Sequence, residues 1–237
     1  MIHLNVLPIY ITLIAFFGIS TNGFEYTLDI NYIFFKTLPV LALSVLTYLG
    51  NTAVNEKYRK IQTTALLFGA IGDFLIAFLH NNISGLVIGA VAFGIGHMFY
   101  LKTFYRKLKH LYIPLTIPVV VYGAVINQLF LVPKLDEDLI STIILMIYSA
   151  ILAVPLLISG SMYLGGCIEY ENAQAFHKLR FAGFIFFFIS DSVLLLSNTG
   201  HRFPYSEVLI LTTYFAAQYL ILCALHEEGK LKDRKKQ

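Results

Sequence analysis

The sequence predicts an all-α membrane protein, and two observations lead to that prediction. The first is composition: of 237 residues, 57% are hydrophobic and only 13% are charged, whereas soluble domains carry about 25% charged residues. The second is that apolar runs of about 17–25 residues, long enough to cross roughly 30 Å of hydrocarbon, recur along the chain. No polar stretch is long enough for a separate soluble domain, so we expect a single transmembrane bundle over residues 1–237.

Polar residues and Gly or Pro clusters divide the apolar runs into eight predicted spans. These cover residues 4–20, 31–50, 60–80, 85–105, 110–131, 139–165, 175–198 and 205–226. The first run has no basic segment before it and no small-residue cleavage site after it, so we expect a retained helix rather than a removed signal peptide. The end of the chain, about residues 227–237, is predicted to form a short basic tail.

Basic residues are distributed unevenly between the two sides of the predicted bundle. Of the 17 Lys and Arg residues, only Lys134 and Arg202 fall on one side and Lys36 falls inside the second span, while all others fall on the opposite side. Because cytosolic segments are enriched in Lys and Arg, both termini are predicted to be cytosolic. We interpret the basic loops as topology signals that attract membrane lipid headgroups, and we expect no nucleic-acid partner.

Two aspartates, Asp73 and Asp191, lie near the middle of predicted spans. A carboxylate at the bilayer centre costs at least about 2.5–3.5 kcal/mol, so such residues normally face an interior cavity and have a function. If the two share one cavity, burial and like-charge repulsion let one ionise while the other keeps its proton. The pair would then supply a general acid and a general base. The alternative is a structural hydrogen bond that fixes helix packing.

The two halves of the chain, about 1–107 and 108–237, resemble each other. In each half an aromatic residue lies five positions before the aspartate, and a small residue directly precedes it. Four spans per half give both halves the same orientation. The pattern therefore predicts parallel repeats related by a pseudo-two-fold axis along the membrane normal, with a cavity between them.

Two further polar pairs fall inside predicted spans. His97 and Tyr100 are three residues apart, and Tyr214 and Gln218 are four apart, so each pair shares a helix face. Their structural alternative is hydrogen bonding between helices, which Gln218 needs in any case because an unpaired amide in lipid is costly. Only His97 among the histidines lies at depth, so we expect neither a metal site nor another cofactor.

Lys36 and Tyr148 are less informative on their own. Lys36 lies five or six residues inside the second span, so it either snorkels to the headgroup level or meets a phosphate or an aspartate. Tyr148 is one of 15 tyrosines. The spacing of Gly85 and Gly89 predicts close helix packing and requires no function.

Taken in order, these residues resemble the lysoplasmalogenase (YhhN-like) family of eight-span membrane proteins. The resemblance covers nearly the whole chain and rests on Lys36-x-x-Pro39, Gly72-Asp73, His97-x-x-Tyr100, Tyr148, Ser190-Asp191 and Tyr214-x-x-x-Gln218. It implies hydrolysis of the vinyl ether bond of 1-alkenyl lysoglycerophospholipids that carry choline or ethanolamine. The expected products are a fatty aldehyde and glycerophosphocholine or glycerophosphoethanolamine.

The chemistry of a vinyl ether fits two carboxylates. Protonation of the β-carbon leaves an oxocarbenium ion, to which water adds, so the reaction needs an acid, a nearby anion and a base for water. We expect Asp73 and Asp191 to be catalytic, with the acid and the base unassigned. The residues expected to support catalysis or bind the lysophospholipid are Lys36, His97, Tyr100, Tyr148, Tyr214 and Gln218.

Other interpretations of the sequence remain open at this point. A transporter or flippase also places a polar site at the midplane between parallel repeats, and a non-catalytic lipid-binding or scaffold protein is a further alternative. Within the enzyme interpretation, another lysolipid or ether-lipid hydrolase is open too. We expect the endoplasmic reticulum membrane if the source is eukaryotic and the inner membrane if it is bacterial. The sequence gives no prediction of oligomeric state.

Overall fold

The computed structural model describes residues 6–27, 29–50, 56–79, 83–169 and 174–234, and within these ranges the chain is helical with no β-sheet. The eight α-helices are α1 (Val6–Ser20), α2 (Ile30–Tyr48), α3 (Glu56–Phe78), α4 (Ile83–Lys102), α5 (Ile113–Ile126), α6 (Leu139–Leu164), α7 (Ala175–Asn198) and α8 (Ser206–Arg234). Short 3-10 turns at Tyr105–Lys107 and Val132–Lys134 and a π-helical turn at Asn127–Leu131 lie between them.

Seven helical segments are long and apolar enough to cross a membrane: α2, α3, α4, α6, α7, α8, and α5 together with the π-helical and 3-10 turns that continue it to Lys134. The prediction of a multi-pass, all-helical membrane protein is confirmed. Helix α1 has 15 residues, fewer than the roughly 20 that a span needs, so the eighth crossing stays a prediction. The parallel repeat and the cytosolic position of both termini also stay predictions. Helix α8 continues to Arg234, so most of the segment predicted to be a tail is helical.

The helices pack mainly in chain order. Helix α1 contacts α2, α2 contacts α3 and α3 contacts α4, after which α4, α6, α7 and α8 follow in the same way. The phenol of Tyr10 on α1 donates a hydrogen bond of 2.9 Å to the Phe215 carbonyl on α8, which joins the first helix to the last. Helix α5 packs mainly against α6 and has no buried residue. The side chains of α5 are therefore available to face lipid.

Glycines allow α3 and α4 to approach closely. A β-carbon on Gly72 would lie 2.8 Å from the Phe93 ring, and one on Gly89 would lie 2.4 Å from the Ile76 side chain. The predicted close packing at Gly89 is therefore confirmed. Because Asp73 directly follows Gly72 on α3, this contact holds the first aspartate close to α4.

Aspartates cap the starts of α2 and α6. Asp29 accepts hydrogen bonds from the backbone and side chain of Asn31, and Asp138 accepts one of 3.1 Å from the Ser141 backbone. These bonds satisfy amide groups that have no partner within the helix. They favour the ionised carboxylate, so the pKa of each aspartate lies below its usual range.

Lys107, Arg180 and Glu228 form a buried group that we call the ion cluster. Glu228 on α8 accepts a charge-assisted hydrogen bond of 2.5 Å from Arg180 on α7 and another from Lys107, which follows α4. All three residues are at most 6% exposed. The sequence interpretation assigned Lys107 and Arg180 to topology and headgroup attraction alone. The structure corrects this, because both cations are paired inside the protein.

Candidate active site

Each of the two intramembrane aspartates accepts a hydrogen bond from a tyrosine. The phenol of Tyr214 on α8 donates to Oδ2 of Asp73 on α3 at 2.7 Å. The phenol of Tyr148 on α6 donates to Oδ2 of Asp191 on α7. A phenol is a neutral donor, so each carboxyl group is oriented without being neutralised by an ion pair. The two aspartates are therefore held in similar ways by different helices.

Both aspartates line one cavity of about 150 Å³, which we call the polar cavity. Its charged and phenolic lining residues are Tyr32, Lys36, Asp73, Asp191, Arg202, Glu207 and Tyr214. These residues come from α2, α3, α7, α8 and the segment between α7 and α8. The expectation that the two aspartates share a cavity agrees with this arrangement. Whether they perform catalysis stays a prediction.

A second cavity, of about 70 Å³, also has Asp191 in its wall, and we call it the apolar cavity. Its walls come from α3 to α7 and are mostly aliphatic or aromatic, and Asp191 is the one charged residue among its described lining residues. Five residues line both cavities: Ile76, Leu86, Phe93, Asp191 and Leu194. Asp191 therefore lies at the boundary between a polar and an apolar compartment.

Lys36 on α2 faces the interior of the bundle. Its side chain is 9% exposed and lines the polar cavity together with Asp73. Within the described ranges no carboxylate oxygen lies within 4.0 Å of its ammonium nitrogen, which sits 6.0 Å from the centre of the Tyr32 ring. Of the two roles considered from sequence, the structure favours an ammonium inside the site over one that snorkels to the surface.

The remaining predicted residues lie beside the cavities rather than in their walls. Tyr100 on α4 donates a hydrogen bond to the Gln218 side-chain oxygen on α8. The Nδ1 atom of His97 lies 2.9 Å from the Phe93 carbonyl oxygen, and a carbonyl only accepts, so Nδ1 donates this hydrogen bond. None of these three side chains lines either cavity. They connect α4 with its neighbours around the site.

Phe93 links the close packing of α3 and α4 to the catalytic candidates. Its ring abuts Gly72, lines both cavities and contacts the Tyr214 ring edge-on at a centroid distance of 5.7 Å. His97 in turn packs edge-on against Phe187, with ring centroids 4.3 Å apart. The phenol that bonds Asp73 is thus fixed by aromatic packing as well as by its own hydrogen bond.

Sequence reasoning did not identify two charged residues of the polar cavity, Arg202 and Glu207. Arg202 lies between α7 and α8, Glu207 lies in the first turn of α8, and the two form an ion pair of 3.3 Å. A signal was present: Arg202 is one of only two basic residues on the predicted non-cytosolic side. Sequence position alone did not indicate that it would reach the cavity of the two aspartates.

Comparisons with known proteins show the family to which this chain belongs. Residues 31–225 match the YhhN family, a range that includes every candidate site residue. A lysoplasmalogenase from Sus scrofa, TMEM86B, is 29% identical over 201 residues, which cover 83% of this chain and 76% of that protein. No solved structure matches. Because the family match spans most of its length, this chain belongs to the YhhN family.

Proposed function

We propose that this protein is a lysoplasmalogenase, a hydrolase that cleaves the vinyl ether bond of 1-alkenyl lysoglycerophospholipids. The main support is the position of Asp73 and Asp191 on one polar cavity, which adjoins an apolar cavity at Asp191. Family membership and similarity to a named lysoplasmalogenase support the same reaction. The substrates are the choline or ethanolamine lipids, and the products are a fatty aldehyde and the corresponding glycerophospho-compound.

The two cavities match the two parts of such a substrate. An alkenyl chain is apolar and is stabilised by burial among the aliphatic and aromatic walls of the apolar cavity. The glycerol and the headgroup are polar and charged, and the polar cavity offers charged and hydroxyl partners. The vinyl ether bond joins these two parts. It would therefore lie beside Asp191, the charged residue that lines both compartments.

In the first step, Asp191 acts as the general acid. Its carboxyl proton passes to the β-carbon of the vinyl ether, where the electron pair of the double bond forms the new C–H bond. The ether oxygen then shares a lone pair with the α-carbon, which gives an oxocarbenium ion. The Tyr148 phenol stabilises the carboxylate that remains. Proton transfer of this kind contributes about 10²- to 10⁴-fold to the rate of an enzyme.

In the second step, Asp73 acts as the anion and the base. Lys36 lines the same cavity and compensates the negative charge of the Asp73 carboxylate, which faces the oxocarbenium ion. Asp73 accepts a proton from a water molecule, and the oxygen of that water molecule bonds to the α-carbon, which gives a hemiacetal. Asp73 then returns that proton to the glycerol oxygen, and Asp191 accepts the hemiacetal hydroxyl proton as the C–O bond breaks. Both carboxyl groups regain their starting forms.

The other candidate residues act as positioning residues in this proposal. The Tyr100–Gln218 hydrogen bond joins α4 to α8, the helix that carries Tyr214. His97 packs against Phe187 and next to Tyr148, with ring centroids 6.3 Å apart in the second case. Their expected role is to hold the two phenols against the two aspartates. The mechanism uses only side chains and water, and requires no cofactor.

The enzyme would act inside the membrane that holds its substrate. We propose the endoplasmic reticulum membrane for a eukaryotic source and the inner membrane for a bacterial one. The aldehyde would leave into the lipid phase, because its alkyl chain is apolar. The charged glycerophospho-product would leave through the polar cavity, which reaches Arg202, a side chain 55% exposed.

The test is a mass-spectrometric assay of the detergent-purified protein in D₂O with an alkenyl lysophospholipid. We expect release of an aldehyde with one deuterium at C2, because the acid protonates that carbon from a side chain that exchanges with solvent. The saturated alkyl analogue is the matched control and should remain intact. If folded protein consumes neither lipid but moves the lipid across sealed vesicles, the chain is a transporter and the proposal is wrong.

A further inference from the structure

The Arg202–Glu207 ion pair is a part of the polar cavity that the proposed chemistry does not use. The pair joins the segment after α7 to the first turn of α8, with 3.3 Å between the guanidinium and the carboxylate. Both residues line the cavity that contains Asp73 and Asp191. The Arg202 side chain is 55% exposed and that of Glu207 is 20% exposed. The pair therefore lies where the cavity meets the surroundings of the protein.

The Arg202 side chain is 55% exposed, so water screens the ion pair and the pair contributes little to folding. Each member can therefore exchange its partner for a ligand group of the same charge with little loss of stability. Glu207 can pair with a cation in place of Arg202, and Arg202 can pair with an anion in place of Glu207. A ligand that carries both charges would replace the pair with two new pairs and leave no charge unmatched.

A second observation also indicates an anionic ligand in this cavity. Lys36 is nine-tenths buried and lines the cavity, yet no carboxylate among the described residues lies within 4.0 Å of its ammonium nitrogen. A buried ammonium without a direct ion pair is unfavourable. The cavity thus has two cationic side chains and three carboxyl groups: Lys36 lines it together with Asp73 and Asp191, and Arg202 pairs with Glu207 at the rim, so a zwitterionic ligand would meet both signs of charge.

We propose that Arg202 and Glu207 form the headgroup subsite of this protein and select lysolipids with a zwitterionic headgroup. The Arg202 guanidinium binds the phosphate through its planar pair of N–H donors, a geometry suited to phosphate oxygens. The Glu207 carboxylate binds the ammonium group, and Lys36 adds positive charge on the inner side of the phosphate. This inference rests on the proposed lipid hydrolase function and adds the basis of its headgroup selectivity.

The chain offers a matched control. Lys134 and Glu137 form another exposed ion pair, of 3.6 Å, just before α6. It resembles the Arg202–Glu207 pair in charge and in its position next to a helix start, but neither residue lines the polar or the apolar cavity. The variant Glu137→Gln therefore removes a similar carboxylate without touching the proposed subsite.

The test compares two cleavable substrates with the same alkenyl chain, the glycerophosphoethanolamine and the glycerophosphate, which lacks the amine. For Glu207→Gln we expect kcat/KM to fall about tenfold with the ethanolamine lipid, the loss of one charge-assisted contact, and to rise with the amine-free lipid. For Arg202→Gln we expect a fall of about tenfold or more with both lipids. Glu137→Gln should change neither. Equal effects of Glu207→Gln on the two lipids, or no effect, would overturn the proposal.

A binding measurement separates this inference from the proposed reaction. The alkyl glycerophosphoethanolamine and alkyl glycerophosphate are not cleavable, and their binding to the full chain can be measured by displacement of a fluorescent lysolipid. If the wild type cleaves no alkenyl lipid, the reaction is wrong. The headgroup subsite still stands if Glu207→Gln lowers the affinity ratio of the ethanolamine to the amine-free lipid about tenfold. An unchanged ratio would reject it.

Discussion

The protein holds charged groups between its helices in two regions, and the regions differ in what surrounds these groups. In the ion cluster, Glu228 directly contacts the cations of Lys107 and Arg180, and the adjoining cavity is only about 20 Å³. In the candidate site, Asp73 and Asp191 contact neutral phenols and line a cavity of about 150 Å³. The comparison indicates that paired charges without free space stabilise a fold, whereas carboxyl groups beside free space are available for chemistry.

The contacts of the ion cluster agree with a structural role. The Arg180 guanidinium lies 4.9 Å from the centre of the Phe104 ring, so it packs on an aromatic side chain as well as pairing with Glu228. Next to the cluster, the Ile168 backbone donates to the Lys107 carbonyl at 3.0 Å. These contacts tie the end of α4 to the segment between α6 and α7 and to α8. Two halves of the chain therefore meet at a closely packed ionic contact.

The largest expected effect is on catalysis at the two aspartates. Asp191→Asn removes the proposed acid and Asp73→Asn removes the proposed base, while both keep the shape of the side chain. We expect kcat to fall about 10²- to 10⁴-fold in each variant, the usual contribution of a general acid or base. Thermal unfolding in detergent should change little, because Asn can still accept the phenol hydrogen bond. Near-normal turnover in either folded variant would show that this aspartate is not needed for catalysis, and would contradict the chemical role assigned to the candidate site.

The second effect is on stability at the ion cluster. Glu228→Gln leaves the buried cations of Lys107 and Arg180 without a charge partner, which typically costs about 3–5 kcal/mol. We expect a marked fall in the free energy of unfolding, with kcat per folded molecule unchanged. The adjacent Glu227 is the control, because it is half-exposed and pairs with Lys230 at 2.7 Å. Glu227→Gln should cost less than about 1 kcal/mol. If both variants behave alike, the cluster does not stabilise the fold.

The third effect concerns the phenols and is intermediate in size. Tyr214→Phe and Tyr148→Phe each remove one hydrogen bond to an aspartate, and hydrogen bonds to charged groups are worth about 1.5–3 kcal/mol. We expect kcat to fall roughly 10- to 100-fold. Tyr10→Phe is the matched control, because its phenol donates to a backbone carbonyl in the core. It should lower stability by about 1 kcal/mol and leave kcat intact. The opposite pattern would contradict the assignment.

The sequence predicted which residues lie deep in the membrane more readily than it predicted which side chains contact each other. Hydropathy and span length gave the helical membrane fold, and the expense of intramembrane carboxylates singled out Asp73 and Asp191. The pairing of Asp73 with Tyr214, 141 residues away, depends on how α3 and α8 pack and has no local signal. The sequence analysis did not select Arg202 and Glu207, because they lie between α7 and α8 and in the first turn of α8, where charged residues are common.

The ion pairs of the ion cluster could not be predicted from the sequence either. Lys107 and Arg180 follow the rule that cytosolic ends are basic, so a topology signal explained them fully on sequence grounds. Glu228 was assigned to a tail because hydropathy falls at about residue 226. The helix does not end there, because a backbone helix continues through polar residues when their side chains find partners. Glu228 finds two of them on other segments.

The smallest expected effect is on the binding of the alkenyl chain in the apolar cavity. Gly123 on α5 lines the apolar cavity, and a β-carbon added there would have no atom within 4 Å. Gly123→Leu should therefore fold, since Leu is also a better helix former than Gly. It should lower kcat/KM for a long alkenyl chain about fourfold, equivalent to one methylene that loses its burial at ~0.8 kcal/mol. A short chain should be affected less. Val121→Leu, on the exposed face of the same helix, is the control and should not change the ratio of the two substrates. If Gly123→Leu leaves that ratio unchanged, the alkenyl chain lies elsewhere, and Asp191 would not stand between the two parts of the substrate.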